Sequence, residues 1–185
     1  ENKFVVLYAG NLGLAQNIET ILFAAKILEK ENIIFLLIGS GPKETELKNI
    51  VKKENIKNVL FLGEIQKEQM NRFFALADCG IIPLKNSNIF RETIPSKLFD
   101  YMSAELPIIL GVEGEAKKIL EKSQAGVYYE PDNFKQLAEK IIFLKTNKKM
   151  LKEMSSKGRE FVEKNFNRTI IAKEIERELS EIFHK

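Results

Sequence analysis

Tryptophan is absent from these 185 residues, and cysteine and histidine occur once each. A single cysteine, Cys79, rules out an internal disulfide and fits a reducing compartment. It stands in the apolar run CGIIPL and reads as a buried structural thiol, since a reactive thiolate needs a polar, exposed setting. The lone histidine, His184, lies at the C-terminus and reads as solvated and inert, so no Cys or His cluster offers a metal site. No apolar run approaches the roughly 20 residues of a membrane-spanning helix. Charge of one sign is also scarce: 29 basic against 26 acidic residues leave +3, and the bases are scattered among acids, as on solvated helix faces. A nucleic-acid partner is therefore not expected. The G-x-G-x-x-G fingerprint does not follow the first strand, and no G-x-x-x-x-G-K-[ST] occurs. Nicotinamide dehydrogenases and P-loop NTPases are set aside on that ground. Internal repeats, low-complexity tracts, dividing linkers and a signal peptide are missing too. The chain opens at Glu1, without Met and almost directly on a strand, which reads as a piece of a longer protein.

What is present is a regular alternation, and with 44% hydrophobic residues the chain can bury a sizeable core as one domain. Short apolar or β-branched runs at residues 4–9, 33–38, 59–62, 80–83, 107–110 and 126–129 read as strands. They are continuous, not alternating, which is the pattern of strands covered on both faces, hence a parallel sheet. Between them Ile18, Ile21, Leu22, Ala25 and Leu28 recur at helical spacing, as do Phe134, Leu137, Ala138 and Ile141. Strand and helix in turn predict a doubly wound, Rossmann-like α/β sheet of about six strands with helices on both faces. Asp132 is placed as a helix N-cap, and the chain after it reads as helical to the end. Its apolar stripes there are Phe161, Val162 and Phe166, then Ile171, Ile175, Leu179 and Ile182.

In open parallel sheets ligands bind beyond the carboxyl ends of the strands, near the point where strand order reverses. The polar motifs fall there. Gly10-Asn11-Leu12-Gly13 follows the first strand, Gly39-Ser40-Gly41-Pro42 the second, Gly63-Glu64-Ile65 the third, residues 91–97 the fourth and residues 111–114 the fifth. The fourth of these opens the richest segment, ETIPSKLFDYMSAELP, residues 92–107. It sets Glu92 and Asp100 eight positions apart around the turn Ile94-Pro95-Ser96-Lys97, which opens an amphipathic helix. Proline or serine at a helix start leaves first-turn amides free at the positive end of the helix dipole, where a phosphate is the obvious guest. Carboxylates on either side can accept hydrogen bonds from hydroxyls, and phosphate beside hydroxyls is the chemistry of a nucleotide sugar.

These motifs, in order, resemble the nucleotide-sugar-binding, C-terminal domain of GT-B glycosyltransferases of the large retaining family 4 (glycosyl transferases group 1). The likeness covers nearly the whole chain: YAGNLG, FLLIGSGP, NVLFLGEI, ADCGIIPL, the acidic-pair segment, GVEGEA and AGVYYEPDN. The family's E-x7-E signature stands here as Glu92-x7-Asp100, with aspartate in second place. The resemblance implies that Asp100 holds ribose hydroxyls and that Glu92 contacts the transferred sugar. It implies that the backbone of residues 94–97, with Lys97, meets the diphosphate, and that the backbone at Gly63, Glu64 and Ile65 reads the base edge. Many family members carry an Arg and a Lys in the first loop, where this chain has Asn11 and Gln16, flanked by Gly10 and Gly13. Lys97, Arg91 and Lys85 are the nearby cations that could replace them. Glu105 stands where the family has a glycine after its helix, which predicts a looser helix end.

The implied activity is retaining transfer of a sugar from a nucleotide diphosphate donor, UDP-linked by family frequency, to a glycan or lipid-linked acceptor in surface polysaccharide synthesis, without cofactor or metal. The acceptor side would belong to an N-terminal domain missing here, so the isolated domain is expected to bind donor weakly and to be inactive. A cytoplasmic protein, or one peripheral at the inner face of the membrane, follows from the same resemblance. Two alternatives stay open: a non-catalytic nucleotide-sugar-binding subunit, and a GT-B-like sugar-nucleotide epimerase, whose cleft would call for a histidine and further acids. A flavodoxin-like regulatory domain would lack the late acidic pair.

Overall fold

In the computed structural model the described residues are 3–167, 169, 172, 175–177, 179 and 180. Six strands form one parallel sheet: β1 Phe4–Ala9, β2 Ile33–Ile38, β3 Val59–Gly63, β4 Cys79–Pro83, β5 Ile108–Gly111 and β6 Gly126–Tyr128, in the order β3-β2-β1-β4-β5-β6. The helices are α1 Ile18–Ile27, α2 Glu44–Lys53, α3 Met70–Leu76, α4 Asn88–Arg91, α5 Lys97–Ser103, α6 Glu115–Ser123, α7 Phe134–Thr146 and α8 Lys148–Asn165. A short 3-10 turn, Lys67–Gln69, leads into α3.

The inner apolar runs become strands because each is covered twice, whereas the edge strand β3 leaves Leu60 and Leu62 exposed on one face. Along β1 the alternate residues Phe4, Val6 and Tyr8 join a core cluster with α1 and α7, whereas Leu7 joins a second cluster with α5, α6 and Val162 of α8. Where both faces are dry, as along β1, each strand position gains from burial, about 25 cal/mol per Å² of apolar surface, and polar alternation is excluded. β1 pairs with β2 from Phe4↔Ile33 to Ala9↔Ile38, and with β4 through Val6↔Cys79 and Leu7↔Gly80. The chain runs outward from β1 to β3, then crosses back to β4 on the other side of β1, so the reversal of strand order lies between β1 and β4. Cys79 is fully buried, and that burial raises its thiol pKa, in line with a structural role.

Three expectations need correction. Asp132 does not cap α7: the Asn133 side chain accepts the Gln136 amide at 3.0 Å, and Asp132 adopts φ 67° just outside the helix. The tail is helical as read, in α7, α8 and the described residues from 169 on, but with breaks: Asn147, at φ −113° and ψ 62°, leaves helical geometry between α7 and α8, and α8 ends at Asn165. Phe161 and Val162 do pack inward on α5 and α6, with Phe166 against Phe99 at a ring separation of 4.4 Å. Ile175 and Leu179 are half exposed, and Ile171, Ile182 and His184 lie outside the described residues. At the end of α5, Glu105 takes the φ of 55° that glycine would hold, yet Glu105 N bonds Met102 O at 3.1 Å and Leu106 N bonds Tyr101 O at 2.9 Å. The helix is closed in the usual way, and the departure from glycine shows as left-handed backbone strain of about 1 kcal/mol.

Candidate functional site

At the carboxyl end of the sheet, beyond the ends of β1, β2 and β3 and beside α5, lies a cleft of about 540 Å³. The loops after β1, β2 and β3 form three of its walls and α5 the fourth: Gly10 and Asn11, Ser40, Glu64 and Ile65, then Lys97, Asp100 and Tyr101. Backbone bonds lace the three loops together, from Gly10 N to Ile38 O at 2.8 Å, Leu12 N to Ser40 O at 2.7 Å and Gly39 N to Gly63 O at 2.7 Å. The rim is therefore built as a rigid unit. A β-carbon at Gly39 would strike the Gly10 carbonyl, and one at Gly10 would strike the Lys97 amine, so both glycines are required by close approach.

Lys97 is the cation at the base of this cleft. It opens α5, its aliphatic stem packs against Gly10, and its Nζ lies 5.6 Å from the centroid of the Tyr8 ring. Burial lowers its pKa from the ordinary lysine value of 10.5, and the neighbouring Asp100 carboxylate pulls it back upward. Tyr8 donates its hydroxyl to Asn11 O at 2.6 Å, and Tyr101 accepts the Ala9 amide at 3.1 Å. These two buried phenols hold the first loop and α5 in register, and burial raises both their pKa values. On the opposite wall the Ser40 hydroxyl donates to the Glu64 carboxylate. Ile65, Met70, Phe74 and Tyr101 supply an apolar slot, with the Phe74 and Tyr101 rings edge to face at 5.8 Å.

Of the residues singled out from the sequence, Gly10, Asn11, Glu64, Ile65, Lys97 and Asp100 line the cleft, and Gly63 lies directly beneath Glu64 with its carbonyl bonded to Gly39. Glu92, Ile94 and Ser96 are exposed and Pro95 half-buried, outside the cleft lining. Gly13 and Gln16 sit behind Asn11, where the buried Gln16 Oε1 has no hydrogen-bond partner. Arg91 is exposed and outside the cleft lining; its charge is a minor cause, after the Tyr128 hydroxyl and Lys117, of the lowered Glu113 carboxyl pKa. Ser96 makes no side-chain cap bond, and α5 is only seven residues long, so the helix dipole foreseen from the sequence is weak and Lys97 carries the positive field. Tyr8, Ser40, Lys67, Met70, Phe74 and Tyr101 were not singled out as site residues. Ser40 had a signal, its place between two rim glycines, whereas the aromatic residues look like ordinary core positions.

A slot with an apolar floor, a half-buried amine, a flanking carboxylate and a backbone-rich rim can hold a flat ring, hydroxyls and a phosphate together. The fold and this cleft define a Rossmann-like α/β domain of the GT-B glycosyltransferase type. The family model "Glycosyl transferases group 1" matches residues 1–161, and the chain belongs to that family. It is 27% identical over 162 residues to alpha-galactosylglucosyldiacylglycerol synthase of Streptococcus pneumoniae, covering 86% of this chain and 41% of that protein. Against N-acetyl-alpha-D-glucosaminyl L-malate synthase of Bacillus anthracis it is 22% identical over 178 residues, covering 95% of this chain and 45% of that protein. The crystal structure of Anabaena HepE with UDP-glucose superposes with a TM-score of 0.85 at 18% identity, over 97% of this chain and 49% of that one. The chain thus spans less than half the length of each of these proteins.

Proposed function

We propose that the chain is the donor-binding half of a retaining glycosyltransferase that takes a UDP-sugar. The observation that carries this reading is the placement of Lys97 and Asp100, three residues apart on α5, facing the Gly10–Asn11 backbone on one side and Glu64 and Ile65 on the other. In this reading the base enters the slot between Ile65 and Phe74 and is read by the backbone at Glu64 and Ile65. Asp100 accepts the ribose hydroxyls. Lys97 and the loop amide at Asn11 meet the diphosphate, with the Gly10 amide already bonded to Ile38 O, and Glu92, farther out, orients the sugar. Transfer breaks the bond between the anomeric carbon and the diphosphate oxygen and forms one to an acceptor hydroxyl on the same face. The chain's own work is electrostatic: a preplaced ammonium stabilises the charge that grows on the leaving diphosphate. Lys97 thereby stands in for the Arg and Lys that Asn11 and Gln16 replace.

The solved structure holding UDP-glucose, the glycolipid-synthase relative and the N-acetylglucosaminyl malate synthase relative favour a UDP-hexose or UDP-N-acetylhexosamine and a glycan or lipid-linked acceptor. A place in the cytoplasm or at the inner membrane face is part of the proposal and rests on the family resemblance alone. A facing N-terminal domain is to supply the acceptor side, so this chain alone is expected to bind donor and transfer nothing. Calorimetric titration tests the reading. UDP and UDP-glucose should bind, uridine only weakly, and Lys97→Ala should remove most of the difference between UDP and uridine. Equal binding of uridine and UDP by the unaltered chain would defeat the assignment of a diphosphate site.

A further inference from the structure

Asp132 was placed in the sequence as a helix cap, and the fold gives it different work. One carboxylate oxygen accepts the Asn17 side-chain amide and the other accepts the Asn86 backbone amide at 3.3 Å. Asn17 ends the β1–α1 loop that presents Gly10 and Asn11, and Asn86 begins the β4–α4 loop that leads to Glu92. Those loops also meet directly, through Lys85 N and Ala15 O at 2.9 Å. One side chain from the β6–α7 connection therefore joins the two loops that border the reversal of strand order.

The local cost of this arrangement is visible at both ends. Asparagine is a favoured N-cap, yet Asn17, at the N-cap of α1, makes no side-chain cap bond and gives its amide to Asp132 instead. Asp132 likewise leaves the capping of α7 to Asn133. Both residues adopt left-handed backbone, φ 45° for Asn17 and φ 67° for Asp132, where glycine would be free of strain. Two residues suited to capping have left that role and taken strained backbone to reach each other across 115 positions of chain.

We propose that Asp132 is a positioning residue for the donor site: its carboxylate sets the β1–α1 loop and the β4–α4 loop at the spacing that a bound nucleotide diphosphate requires. The inference rests on the donor reading above. Asp132 itself lies outside the cleft lining and acts through Asn17 and Asn86.

The test compares Asp132→Gly, Asp132→Asn and Asn17→Gly with the unaltered 185-residue chain, using UDP affinity, melting temperature and amide NMR shifts. The glycine variants delete the tether and relieve the left-handed strain together. They should hold the melting temperature near that of the parent while weakening UDP about tenfold, in the range of a lost charge-assisted hydrogen bond. Amides in both loops, residues 10–16 and 85–92, should shift in either variant. Asp132→Asn keeps one acceptor and should recover part of the affinity. Should the glycine variants bind UDP as well as the parent, the positioning role is overturned, whatever happens to their melting temperature. If the parent itself leaves UDP unbound, the donor reading fails and the inference goes with it; a parent that binds beside glycine variants that bind equally sinks the inference alone.

Discussion

The two ends of residues 92–107 are built in opposite ways. From Lys97 to Ser103 the segment is helix, with Leu98, Tyr101 and Met102 buried and the Tyr101 hydroxyl bonded to Ala9 of the central strand. From Glu92 to Ser96 it is an exposed turn, whose one side-chain hydrogen bond among the described residues is local, from the Thr93 hydroxyl to Ile89 O at 3.2 Å. The contrast divides the acidic pair. Asp100 stands on a helix anchored in the core, where its position is set before any ligand arrives. Glu92 stands on a surface whose geometry depends on neighbouring loops and, in the proposed function, on a facing domain. In the proposed function, the nucleotide end of the site is preformed and the sugar end is completed against the facing domain.

The largest expected effect breaks the packed side outright. Gly39→Ala adds a β-carbon against the Gly10 carbonyl at φ 126° and should cost about 3 kcal/mol of stability, read by chemical denaturation, as overpacking and backbone strain add. The matching change on the open side, Thr93→Ala, should cost less than about 0.5 kcal/mol. Next comes Lys97→Ala, expected to weaken UDP by about tenfold or more through the loss of charge-assisted phosphate contacts, with uridine binding unchanged.

The acidic pair offers a sharper division. Asp100→Ala should weaken UDP and UDP-glucose alike, by about tenfold. Glu92→Ala should leave UDP within about twofold and remove only the extra affinity that the glucose moiety confers. Equal losses for both ligands in both variants would erase the proposed separation of roles.

The smallest effect is a pH dependence. The folded chain holds Lys97 below its ordinary 10.5, so in that alkaline window the unfolded chain binds more protons than the folded one, and this group's contribution to stability rises with pH. Bound diphosphate raises the same pKa. UDP affinity should therefore be level near neutrality and fall as pH climbs through the free-state value, and Lys97→Arg should flatten the fall, since arginine stays charged.

The sheet was legible because each strand is a continuous apolar run, and for the inner strands burial on both faces leaves such runs no other stable home; β3, at the edge, keeps the run with Leu60 and Leu62 exposed. Strand ends moved by a residue. β5 starts at Ile108 because Pro107, lacking an N–H, contributes only its carbonyl, which Gly80 N bonds at 2.8 Å. The break at Asn147 was not legible, since an asparagine between two helical patterns carries neither a proline nor a glycine as a stop signal. In the cleft, Lys97 and Asp100 were named through the family resemblance, since an E-x7-D spacing on its own carries little. The Ser40–Glu64 pair was not legible, because it depends on how β2 and β3 align, and their register shifts between Leu37 and Ile38. Arg91 looked available to a phosphate, but a side chain's direction on a four-residue helix cannot be read from spacing, and Arg91 lies outside the cleft lining. The tie from Asp132 spans too much chain for any local pattern to reveal it.

The most direct test of a preformed nucleotide site at the carboxyl end of the sheet is an amide NMR titration of the unaltered chain with UDP, GDP and ADP. UDP should shift the amides of residues 10–11, 63–65 and 97–101 most, with residues 92–94 responding chiefly to the sugar of UDP-glucose. Silence of the cleft amides toward all three nucleotides at millimolar concentration, or shifts confined to the opposite end of the sheet around Lys3 and Lys148, would contradict it.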